Sequence, residues 1–190
     1  MATADRGVSS VISVILMVAT VVILPATVSV FALDFGERIN QPAPFAADTT
    51  GEFEPETDEF RTNQIVQITH RGGDSVAVEE VEIIVRASGP GLDTEARLVD
   101  LPATDRYITD NIQGNVGLID SDSAIVPMEI ITDDGPNVWS AGDTIQFRIS
   151  TGEADFRDPP KSGNPDADTL EVIIIHTPSD AIISENTFTP

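Results

Sequence analysis

Between Gly7 and Leu33 the chain carries no ionisable side chain, and Val8–Leu33 consists of Val, Ile, Leu, Met, Ala and Phe with only Ser, Thr and Pro25 among them. As an α-helix this stretch is about 39 Å long at 1.5 Å per residue, enough to cross a hydrocarbon core of roughly 30 Å. Apolar side chains fall on every face, so the helix must be surrounded, by lipid or by other helices. Its hydroxyl side chains can bond to carbonyls of their own helix. Pro25 withholds one N–H, which predicts a kink that neighbouring helices must accommodate. Arg6 precedes the stretch and Asp34 and Glu37 follow it, an asymmetry that places the short end in the cytoplasm and the remainder outside. A discarded secretory signal is the competing account, since Val30 and Ala32 have the spacing for a cut after Ala32. Against it, the apolar run is roughly twice the usual 7 to 15 residues of a signal core.

Of the 190 residues, roughly 155 remain for a soluble part, the size of one ordinary domain with a real core. That part carries nearly all of the formal net charge of -22, which excludes a phosphate backbone as partner. Like charge at this density repels itself. At molar salt the Debye length is about 3 Å and the repulsion is mostly screened, so the composition reads as adaptation to high salt; the plainer alternative is an acidic secreted protein. There is no cysteine, hence no disulfide, thiolate metal site or thiol nucleophile.

Period-2 alternation dominates beyond residue 60. "NQIVQITH" sets Ile65, Gln67 and Thr69 against Val66, Ile68 and His70, and "VEEVEIIVRA" sets Val81, Ile83 and Val85 against Glu80, Glu82, Ile84 and Arg86. "DTIQFRIS" sets Ile145, Phe147 and Ile149 against Gln146, Arg148 and Ser150; "TLEVIIIHT" is long and β-branched. Shorter candidates lie around Ala96–Leu101, Val116–Ile119 and Ala124–Ile131. Strands separated by Gly, Pro and Asp turns, with no amphipathic helix, predict an antiparallel, immunoglobulin-like β-sandwich after the membrane-length helix. The Pro-, Glu- and Thr-rich segment after Gly36 keeps neither period and reads as a linker with at most a short edge strand. In "ITHRGGDSV", Gly72 and Gly73 permit positive φ in a tight turn and Asp74 can accept from backbone amides, with His70 as a structural turn residue.

The run "RGVSSVISVILMVATVVIL" from Arg6 resembles the N-terminus of archaeal type IV pilins, haloarchaeal ones in particular. "ITHRGGD" and "WSAGDTI" (Trp139–Ile145) resemble two further elements of that group. The usual pattern has proline where Ser10 stands and glycine where Ser13 stands, and the glutamate common at the fifth mature position of bacterial pilins is replaced by Ile12. The resemblance implies a prepilin peptidase cutting between Gly7 and Val8, so that Arg6, Gly7 and Val8 form the processing site and the helix stays on the mature protein. It also implies a precursor in the cytoplasmic membrane, partners in copies of itself or related pilins, and an adhesive surface filament. The domain plan is then a leader over 1–7, the membrane and assembly helix over 8–35, a linker over 36–60 and an acidic head over 61–190. A single-pass anchored β-domain that binds a surface partner without polymerising is the alternative.

Enzymatic chemistry has no motif here. The two histidines, His70 and His176, fall on different strands, and neither a zinc, a nucleophile-elbow nor a phosphate-loop pattern occurs; no cofactor is implied. The weak cation candidate is Asn164, Asp166 and Asp168 in "NPDADTLE", which offers oxygens at alternate positions but lacks the glycine and twelfth-position glutamate of a calcium loop. A solvated acidic loop is the plainer reading. From the charge argument, circular dichroism of the head should lose β signal when it moves from molar to low salt, and an unchanged spectrum contradicts the salt reading.

Overall fold

A computed structural model describes residues 11–25, 43–55, 63–103, 108–120 and 137–190. The chain divides into two units, Met1–Pro42 and Ala43–Pro190. In the first, residues 11–25 form helix α1, in which the Thr20 hydroxyl donates to the Met17 carbonyl at 2.9 Å. Its large apolar residues are all more than half exposed, from Ile12 at 51 % to Met17 at 69 %. Among the described residues no helix is long and apolar enough to cross a membrane; the flanks of the expected 8–35 helix lie outside them.

Among its described residues the second unit is β apart from two short 3-10 turns, Val78–Glu80 and Ile108–Asn111. Strands β1 (Ala46–Glu54), β2 (Asn63–Gly73) and β8 (Thr144–Ser150) make one antiparallel sheet in the order β1-β2-β8. A second sheet holds β10 (Ala181–Phe188), β9 (Thr169–His176), β4 (Val81–Gly89), β5 (Leu92–Leu98) and β6 (Ile112–Gly114) in that order. A two-stranded pair, β3 (Val76–Ala77) and β7 (Val138–Trp139), completes the architecture. All ladders are antiparallel.

Alternation decides which side of each strand is buried. Val66 and Ile68 of β2, Ile145, Phe147 and Ile149 of β8, Ile83 and Val85 of β4, and Leu170, Val172 and Ile174 of β9 meet in one core. The opposite faces are polar: Gln67 donates to Gln146 at 3.0 Å and Thr69 bonds Thr144 at 2.8 Å across the small sheet. On the large sheet Arg86 faces Glu95 on one neighbour and Glu171 on the other, bonding them at 2.7 and 3.0 Å. Those carboxylates, Glu95 first, raise the Arg86 pKa further. Such exposed pairs fix register more than they add stability.

Three sequence expectations need correction. The linker expected over 36–60 contains β1, a nine-residue strand paired with β2 along its length. Its inward positions include Gly51, where an added Cβ would stand 2.6 Å from the Asn186 side chain of β10. The missing side chain is what lets β1 and β10 approach, and Thr49 bonds Ser184 across the gap at 2.8 Å. The candidate at Ala96–Leu101 is instead β5, ending at Leu98. Val116–Ile119 is a turn that contributes one bridge, Ile119 to Ile149 of β8; Ala124–Ile131 lies outside the described residues. β10 has no counterpart in the alternation, because a bulge at Ile183 shifts the register between Ile182 and Ser184.

Gly89 ends β4 against the backbone of Asp166 and Ala167, so tightly that a Cβ there would overlap the Asp166 carbonyl. Gly89→Ala should therefore lower stability by about 1–3 kcal/mol, read as a fall in the denaturation midpoint; an unchanged midpoint would show that the loop yields freely.

Candidate functional site

Two polar constellations organise the head. The first is built at the end of β2. His70 is fully buried on the inner face, and its backbone bonds the turn after β7 twice: N–H to the Asp143 carbonyl at 2.9 Å, and carbonyl from Gly142 N–H at 2.7 Å. That turn closes through Asp143 N–H on Ser140 O at 2.9 Å and Ser140 N–H on Asp143 Oδ2 at 2.9 Å. Gly142 has φ +100°, the conformation that position three of a type II turn requires. The His70 ring meets Trp139 edge-on at 4.9 Å, and the indole N–H donates to Asp143 O at 3.3 Å.

The imidazole Nε2 lies 3.0 Å from the Asp74 carbonyl. A carbonyl can only accept, so Nε2 carries the proton. Nδ1 is buried with no hydrogen-bond partner among the described residues. Asp74 in turn holds the strand that enters the head: its Oδ2 accepts from Phe45 N–H at 3.0 Å, and its N–H donates to Phe45 O at 3.0 Å. "ITHRGGD" and "WSAGD" are thus one clamp over the start of β1. Of the glycines expected in a tight turn, Gly73 has φ +112°. Both glycines extend β2, Gly72 pairing with Asp48 and Gly73 with Ala46 across a bulged register. The turn proper falls after Gly73.

Asp155 centres the second constellation, the loop between β8 and β9. Fully buried, its carboxylate accepts from Arg157 Nε at 2.7 Å and Nη2 at 2.5 Å, from Lys161 N–H at 3.0 Å and from Asn164 Nδ2 at 2.9 Å. Burial alone would raise its pKa; the Arg157 guanidinium, the Lys161 amide and Asn164 outweigh it and lower the value from 3.8 to about 2. The buried Gln64 side chain braces the same loop, donating to Ala154 O at 2.6 Å and accepting from Phe156 N–H at 2.8 Å. The cation candidates do not converge. Asn164 points its amide at Asp155, Asp166 makes a backbone bridge with Asp155, and Asp168 N–H bonds Ser88 O at 2.9 Å. Among the described residues no three His, Cys, Asp or Glu side chains could share a metal ion. The guanidinium of Arg157 occupies the role a cation would have.

Helix α1 supplies no titratable group; apart from the Ser13 and Thr20 hydroxyls its side chains are apolar. Residues 6–47 match the family model described as archaeal type IV pilin, N-terminal. Over that segment the chain is similar to archaeal type IV pilins. The pilin match takes in α1 and Phe45 but neither His70 nor Asp155. No curated protein matches the chain. Arg6, Gly7 and Val8 fall within the match and outside the described residues; Pro25 is the last described residue of α1. Sequence reasoning singled out His70 and Asp74 but missed Gln64, whose partners are backbone groups, and Asp155, whose donors Arg157, Lys161 and Asn164 follow no recognised motif.

Two outcomes follow from this geometry. His70→Ala removes the ring from Trp139 and the bond to Asp74, and should cost about 2–3 kcal/mol, measured by denaturation with Trp139, the sole tryptophan, as the fluorescent reporter. Asp155 has a depressed pKa, so its stabilisation is complete above 3.8 and is lost as pH falls through about 2. Over that window wild type should lose about 2 kcal/mol that Asp155→Asn, already weakened at neutral pH, does not lose. Parallel acid profiles for the two proteins would contradict the role given to Asp155.

Proposed function

We propose that the chain is a structural subunit of an archaeal type IV pilus-like surface filament, made as a membrane precursor, cut by a prepilin peptidase between Gly7 and Val8, and assembled through its N-terminal helix. The observation that carries the proposal is the pilin match over residues 6–47 on a segment whose described helix is apolar on every side. A helix of this kind is tolerated in only two environments, lipid and a bundle of similar helices. Exposure of the whole stretch to water would cost tens of kcal/mol, at about 25 cal/mol per Å² of apolar surface. Assembly therefore passes the helix from lipid to bundle without an aqueous stage. The β head, with its acidic polar faces, becomes the filament's outer surface and its contact with substrata or other cells.

The family is one of structural subunits, and no catalytic step is assigned to the chain. N-terminal sequencing of the mature protein tests the proposal: Val8 supports it, Leu33 marks a secreted domain, and Met1 or Ala2 an uncut anchor. Gly7→Val should accumulate precursor and abolish filaments; filaments and processing at wild-type levels would contradict the proposal.

A further inference from the structure

Acidic residues recur throughout the soluble part, yet the stretch from Ile39 to Ala47 carries no charge at all. Phe45 lies within it and is 72 % exposed, more than any other large apolar residue described in the head; Val116, Val138 and Ile182 are next. Its backbone is nevertheless fixed, because both N–H and carbonyl are bonded to Asp74, and Asp74 to His70. An aromatic side chain held out on a rigid backbone is preorganised, since little further ordering is needed when a partner covers it. Aromatic anchors of this kind concentrate binding energy in protein interfaces.

The identity of the partner follows from charge and continuity. Two copies, each of formal net charge -22, repel over most of their surfaces, and approach is easiest where both present uncharged groups. α1 is uncharged, and its large apolar residues are at least half exposed. The family match begins before α1 and ends two residues past Phe45, so one matched segment carries both uncharged runs, with Asp34, Glu37 and Arg38 between them. Eleven residues lie between Leu33 and Phe45, a span of at most about 40 Å. Packed helices lie about 8–10 Å apart, so a neighbour's helix is within reach.

We propose that Phe45 anchors the base of the head against the apolar N-terminal helix of a second copy of the chain. The anchor rests on the filament reading above and assigns a specific contact within it. Photo-crosslinking of the full chain assembled in cells, with p-benzoylphenylalanine in place of Phe45, tests it. Irradiated filaments should give covalent dimers whose link maps from position 45 to residues 8–33 of the other copy. Filaments that form but yield no link, or a link only within one chain or to another head, overturn the anchor alone. Phe45→Ala should keep cleavage before Val8 and the head's β spectrum while cutting filament yield about tenfold or more, with Phe45→Leu partly restoring it; wild-type yield from Phe45→Ala overturns the anchor. A wild-type chain that is not cut before Val8, or forms no filament, overturns the filament reading and the anchor with it.

Discussion

An uncharged helix with apolar side chains on every face cannot be left in water, and this constraint reaches further than the helix itself. It dictates that the segment be surrounded at each stage of its existence, and it separates the chain into a part that seeks apolar neighbours and a part that must stay soluble. The acidic head answers the second need. Its core is closed between two antiparallel sheets, with Val66, Ile68, Phe147, Val85 and Val172 inward, while the outer faces carry Gln, Thr and the Glu95–Arg86–Glu171 ladder. Neither face of the sandwich asks for a partner.

The start of β1 is firmly tied within the head. Asp74 brackets Phe45 with two hydrogen bonds, His70 holds Asp74, and Trp139 with the Ser140–Asp143 turn holds His70. The far constellation around Asp155 fastens a long loop by satisfying a buried carboxylate with a guanidinium and backbone amides. Both use buried polar groups whose removal leaves partners unsatisfied, so each favours one arrangement of its loop. In a filament subunit, a head fixed at its point of entry presents a constant base to its neighbours.

Most of the sandwich was legible in the sequence where one face of a strand is buried and the other solvated. β2, β4 and β8 place Val66, Ile83 and Phe147 inward as alternation requires. Legibility failed where shape rather than hydropathy sets the strand. β1 turns Gly51 inward because β10 passes close, which erases the apolar signal at that position, and β10 loses its period at the Ile183 bulge. The pilin resemblance at Arg6–Leu24 was visible because an uncharged apolar run and the Arg6–Gly7 pair before it are local in sequence. Asp155 was not, because what makes it special is its burial and five donors contributed by residues 157, 161 and 164, in a chain where acidic residues are common.

Helical reconstruction of filaments purified from cells is the most direct test of the central claim that the apolar helix is the assembling part. The account predicts an axial bundle of helices with β-sandwich heads on the outside and a chain trace that begins at Val8. Heads stacked along the axis with the helices absent, or filaments from which this chain is missing, would contradict it.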